Sequence, residues 1–143
     1  MQLSEHFTLA ELTHTDTGLD NTPNGEEIET LRVLAMFLEK ARAILGQPMI
    51  ITSAFRSAAV NQAVGGVPTS AHRLCYAADF VCDGYGSPYD VCMAISRAAD
   101  IGTIAFDQLI QEGSWTHISR DPRLRDERLT LVAGGYVPGI HRS

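Results

Sequence analysis

Two histidines and one aspartate stand in surroundings that suit metal chemistry. The run Ser70-Ala71-His72-Arg73-Leu74-Cys75-Tyr76-Ala77-Ala78-Asp79 delivers an imidazole from an irregular stretch, then a carboxylate from a short apolar one. Within Ala77-Ala78-Asp79-Phe80-Val81 the aspartate is flanked by core-forming residues, where an unpaired charge is costly and a cation is a natural partner. Alternation along a strand sets Ala77, Asp79 and Val81 on one face and Ala78, Phe80 and Cys82 on the other. His117, in Trp115-Thr116-His117-Ile118-Ser119, lies in a second strand-like run. Two imidazoles and a carboxylate are a common ligand set for catalytic zinc, with a fourth position left for water. A His–Asp salt bridge or a satisfied core pair would use the same residues without a metal, and spacing alone does not separate the two readings. His6, His14 and His141 lie near the termini without such neighbours.

The elements that must position these residues follow from periodicity and caps. Thr8-Leu9-Ala10-Glu11 has the spacing of a capping box and opens a short helix. After a turn cluster from Asn21 to Gly25, Ile28, Leu31, Leu34, Leu38, Ala41 and Leu45 recur every three or four residues. This predicts an amphipathic helix ending at Gly46. Met49-Ile50-Ile51-Thr52 reads as a buried strand, Ala58–Val64 as a short helix stopped by Gly65-Gly66, and Ala77–Val81 as a second strand. Ser87-Pro88-Tyr89-Asp90 combines a cap, a proline at the first position and an acid in the first turn, opening a helix to about Ala99. Gln108–Glu112 and Trp115–Ser119 form a hairpin about Gly113-Ser114, and Leu129–Val132 adds an edge strand before a glycine-rich tail. The sum is one α+β domain over residues 1–143, with no linker.

Composition narrows the function. The chain has 143 residues, 45% hydrophobic and 20% charged, enough for a core without staples. A net charge of −6 argues against nucleic-acid binding, which needs clustered Lys and Arg. The late basic run Arg120, Arg123, Arg125 and Arg128 is interrupted by Asp121, Asp126 and Glu127 and reads as a solvated loop. Cys75, Cys82 and Cys92 form an odd, unpatterned set, expected to be free and mostly buried. A structural zinc on His72 and these cysteines fits no common finger or ribbon spacing. No apolar run has the length of a membrane span, and the start lacks a signal peptide. The expectation is a monomer made in the cytoplasm, without an obligate protein partner.

The motif Ser70-x-His72, with Asp79 seven residues beyond that histidine and a later Trp115-x-His117, resembles the zinc signature of the M15 peptidases. These are the zinc D-Ala-D-Ala carboxypeptidases and the phage L-alanyl-D-glutamate endopeptidases. Phe7-Thr8-Leu9-Ala10-Glu11-Leu12, Thr52-Ser53-Ala54-Phe55-Arg56-Ser57, Asn61 through Val64-Gly65-Gly66-Val67-Pro68, and Phe106-Asp107-Gln108-Leu109-Ile110 are similar to the compact phage-associated branch. The resemblance implies an antiparallel sheet flanked by helices and zinc on His72, Asp79 and His117. It also implies a peptidoglycan stem-peptide substrate, a substrate-binding Arg56, and an endolysin that reaches the bacterial cell wall after release by a holin. Ser70 then hydrogen-bonds substrate or orients its loop, and Trp115 walls the cleft or joins the core.

Two departures from the family pattern bear on activity. Cys75 and Tyr76 stand where the family has glycine followed by an acid or polar residue. Ser114 stands where many members carry the catalytic acid, three residues before the last histidine. A two-residue turn at Gly113-Ser114 would place Glu112 opposite Trp115 and Ile110 opposite His117. Glu112 and His117 then share a face as diagonal neighbours about 7–8 Å apart, within reach of a glutamate acting as general base. An exposed charge at the hairpin end is the alternative for Glu112, and Asp107 is a second candidate base. A relative that binds zinc and cell wall without turnover is the alternative for the whole chain.

Overall fold

Capping chemistry sets the helix starts. In the computed structural model, which describes residues 1–143, helix α1 (Leu9–Leu12) begins at the Thr8–Glu11 capping box. Helix α2 (Gly25–Leu45) begins at a second box, Asn24 with Glu27, inside the expected turn cluster, and ends at Gly46 in the left-handed conformation (φ 65°). Strand β1 (Ile50–Ser53), helix α3 (Ala58–Ala63) and strand β2 (Ala77–Val81) follow. Helix α4 (Pro88–Asp100) carries a third box, Ser87 with Asp90. Strands β3 (Gln108–Gln111), β4 (Thr116–Ser119), β5 (Glu127–Val132) and β6 (Gly135–Pro138) complete the chain.

The six strands form one sheet in the order β1-β2-β4-β3-β5-β6. Pairing is antiparallel except between β3 and β5, so the sheet is mixed. The exception follows from edges. Both sides of β4 are taken, by β2 and β3, and β4 ends where Ser119 lies opposite Gln108 at the start of β3. The next strand must therefore run beside β3 in the same direction, with Glu127 opposite Gln108. The crossover is stapled rather than merely solvated. Buried Asp107 accepts from the Arg125 backbone N–H, Nε and Nη2 at 2.8–2.9 Å. Asp121 holds Arg123, and Arg128 reaches Asp100 and Asp126. The expected edge strand is longer than its apolar core and is not the edge. Gly134 and Gly135, at φ 92° and 134°, turn the chain back so that β6 covers β5.

Pleating divides the sheet between core and cleft. Ala78, Phe80, Leu109 and Ile118 belong to the same buried cluster as Leu31, Leu34, Leu38, Ala41 and Leu45 of α2 and Val91, Cys92 and Ile95 of α4. The opposite face carries the row Ser53, Asp79, His117, Ile110, Leu129 and Pro138, one residue from each strand. Burying about 25 large and small apolar residues fixes this register, because a one-residue slip would send the row into the core. No helix is long and apolar enough to cross a membrane.

Candidate metal centre and its cleft

His72, Asp79 and His117 come together in the middle of that row. Their ligand atoms all lie within 4.8 Å of one another, and no cysteine joins them. Asp79 and His117 are direct cross-strand partners of β2 and β4. Asp79 Oδ1 is 2.9 Å from His117 Nδ1 and 3.3 Å from His72 Nε2. Zinc bonds of about 2.0–2.1 Å in a tetrahedron set ligand atoms about 3.3–3.4 Å apart, so the spacing fits that ion.

The hydrogen-bond chemistry points the same way. His72 Nδ1 lies 2.8 Å from the Ala54 carbonyl, an acceptor only, so Nδ1 is a donor, and in the neutral ring Nε2 is left as a bare lone pair facing a carboxylate. Two buried acceptors in that position repel unless a cation lies between them. His117 Nε2 is buried with no hydrogen-bond partner, so the ring is oriented for its Nδ1 at the expense of its other nitrogen. Burial pushes the Asp79 carboxyl upward, but hydrogen bonds from His117, and from His72 when its ring is protonated, outweigh it and hold the group well below the usual carboxylate range.

The loop that delivers His72 is closed by local bonds. The Tyr76 N–H donates to Ala71 O at 2.8 Å and the Cys75 N–H to His72 O at 3.4 Å, the pairing of a Schellman motif. Cys75 occupies its left-handed position, φ 67°, where glycine is ordinarily favoured. This accounts for the glycine that the resemblance leads one to expect there. A left-handed backbone costs a residue with a Cβ about 1–2 kcal/mol. We therefore expect Cys75→Gly to be more stable than Cys75→Ala by about 1 kcal/mol in denaturant melts, the reverse of the usual order. Equal stabilities would show the turn to be unstrained.

Other contacts hold the loop against the sheet. The Ser70 Oγ accepts the His72 N–H at 3.3 Å, and Arg73 pairs with Glu27 of α2 at 2.7 Å. The Asn61 Nδ2 donates to Val67 O at 2.8 Å, and a Cβ at Gly66 would collide with the Asn61 amide. Asn61 thus ties down Val67, and only glycine permits that approach. Sequence reasoning noted these residues without finding their packing role.

A cleft of about 470 Å³ is lined by all three of these residues. Arg56, Ser70, Trp115 and Glu112 all line it. Trp115 is 37% exposed and therefore belongs to the wall, not the core. Arg56 is half-buried, its Nη2 3.8 Å from Asp79 Oδ2 and its Nε 3.4 Å from Ser53 Oγ, both long contacts. Glu112 follows directly on β3. Its backbone N–H donates to Trp115 O at 3.0 Å, and Gly113 takes the turn at φ 92°, so the hairpin register is the one expected. Burial raises the Glu112 carboxyl above its ordinary value, with a hydrogen bond from the Tyr136 hydroxyl pulling the other way. Ser114 is exposed at the hairpin tip, whereas Asp107 is absorbed by Arg125 and does not line the cleft. The sequence reading missed Tyr136 and Leu129, which enter the cleft from the last two strands. Only the parallel pairing of β5 brings them there.

The three cysteines are free and buried, as their odd count suggested. Burial pushes the Cys75 and Cys92 thiols up to about 12. A search of curated proteins gives no match for this chain. A family model described as Peptidase M15 matches residues 5–119, which span the three ligand positions and end at the last residue of β4. With a match over most of its length, and with three residues that could hold a metal lining a cleft, the chain belongs to the M15 family of zinc-dependent peptidases.

Proposed function

We propose that this protein hydrolyses an amide bond in peptidoglycan stem peptides, with one zinc held by His72, Asp79 and His117. The observation that carries the reading is the convergence of these three donors in a cleft that Arg56 and Glu112 also line. Zinc in such a site supplies a Lewis acid and lowers the pKa of a coordinated water to about 7. Glu112 takes the proton of the attacking water and passes it to the leaving amine. Its partly buried carboxyl, raised above the ordinary range, suits a group that must both accept and return a proton. Arg56 fixes a carboxylate or carbonyl of the substrate through its planar fork of donors. Ser70 and Trp115 line the path of the peptide, with Ser70 also orienting the His72 backbone.

The setting that fits this activity is a phage or prophage endolysin that acts as a monomer on the cell wall after release by a holin. The reading of a non-catalytic zinc-binding relative rests on Ser114, and the position of Glu112 in the cleft speaks against it. Incubating the zinc-loaded protein with intact muropeptides and identifying the products by mass spectrometry tests the proposal. Cleavage between D-Ala and D-Ala, or between L-Ala and D-Glu, supports it and names the bond. Intact muropeptides in the presence of bound zinc would refute it.

Arg56 makes no short ion pair, which leaves its guanidinium available to substrate. Arg56→Lys keeps the charge and removes the fork, so kcat/KM on stem peptides is expected to fall about 10- to 100-fold with zinc content and melting temperature unchanged. Loss of melting temperature with full activity of the folded fraction would make Arg56 a structural residue.

A further inference from the structure

Glu112 follows directly on β3 and precedes Gly113 at the hairpin turn. The hydrogen bonds to its carboxylate come from one group. The Tyr136 hydroxyl lies 3.1 Å from Oε1 and 3.2 Å from Oε2, and no other donor reaches either oxygen. A single hydroxyl placed between both oxygens fixes the plane of the carboxylate and leaves each oxygen with lone pairs free to accept a proton.

Tyr136 reaches that position through the sheet. β5 runs parallel to β3 with Ile110 opposite Leu129 and Gln111 opposite Thr130. Tyr136 of β6 lies opposite Leu131, one step further along. The ladder therefore carries the tyrosine level with Glu112, and both line the cleft. β5 and β6 lie beyond the segment matched by the family model, so this contact is a feature of the chain's last two strands.

We propose that Tyr136 is a positioning residue that holds the Glu112 carboxylate aimed into the cleft for proton transfer. The inference rests on the reading of Glu112 as general base. Without the hydroxyl the carboxylate is free to turn toward solvent at the hairpin end, and only a fraction of molecules present it correctly.

The test is a double-mutant cycle on the full-length zinc-loaded protein, with kcat and KM measured on a muropeptide that the wild type cleaves. Tyr136→Phe removes the hydroxyl and keeps the ring. The expected result is a fall in kcat of about tenfold, the size of one hydrogen bond to a charged group, with KM, zinc content and melting temperature unchanged. In the Glu112→Gln background the same substitution is expected to have no further effect. An equal loss of kcat in both backgrounds, or a rise in KM with kcat unchanged, would overturn the inference and leave the role of Glu112 standing. Full activity of Glu112→Gln would instead remove Glu112 as base, and the inference falls with it whatever Tyr136→Phe does.

Discussion

His72→Ala, Asp79→Ala and His117→Ala are each expected to abolish both zinc binding and peptidase activity. Wild-type protein should carry about one zinc per chain, the stoichiometry of a single three-ligand site. The three ligand atoms surround one point, and removing any of them leaves two donors, too few to retain the ion through dialysis. Asp79 also accepts from His117 Nδ1 and faces the nearby Arg56, so its loss should also lower the melting temperature. Cys75→Ser, Cys82→Ser and Cys92→Ser are the controls. The Cys92 thiol lies 3.7 Å from Thr116 Oγ1 and the Cys82 thiol 3.8 Å from Gln47 O, and neither belongs to the metal group. Elemental analysis of the purified variants decides the matter. Zinc lost from a cysteine variant but kept by the histidine and aspartate variants would move the site to the thiols.

Glu112→Gln should leave zinc in place and cut turnover by about 10²–10⁴-fold, the usual contribution of general acid–base catalysis. The amide keeps the size of the side chain and can still accept from Tyr136, so binding and fold are preserved while the proton acceptor is lost. KM should hold, because the missing interaction belongs to the transition state. Ser114→Glu is the complementary variant. Position 114 is exposed at the hairpin tip, and an acid restored there would rescue Glu112→Gln if the two positions can reach the same water. A wild type that cleaves nothing, with activity appearing only in Ser114→Glu, would identify a zinc-binding relative that has lost its base.

Much of this site could be read from the residues themselves. Asp79 amid Ala77, Ala78, Phe80 and Val81 is a charge that burial makes costly, so a partner was required before any coordinate was known. The Gly113-Ser114 turn fixed which residues of the hairpin face one another, and period-two alternation then put Glu112 and His117 on one side. Caps at Thr8 and Ser87 and the glycine at position 46 set helix limits to within a residue or two, because these signals act within a single turn.

What remained for the tertiary structure was everything that depends on non-local pairing. The motif spacing says that His72 and Asp79 are seven residues apart, but not that a Schellman turn at Cys75 lets the histidine reach the aspartate of the strand that follows. The basic run near Arg125 looked solvated because Asp107, its partner, is eighteen residues away in sequence. Tyr136 carried no signal at all. Its place beside Glu112 depends on β5 choosing the free edge of β3, a choice made by which edges were already occupied and not by any residue within β5 or β6. The candidate ligands are marked by their local sequence, whereas their meeting, like the placing of Tyr136 beside the proposed base, is set by the order of strands.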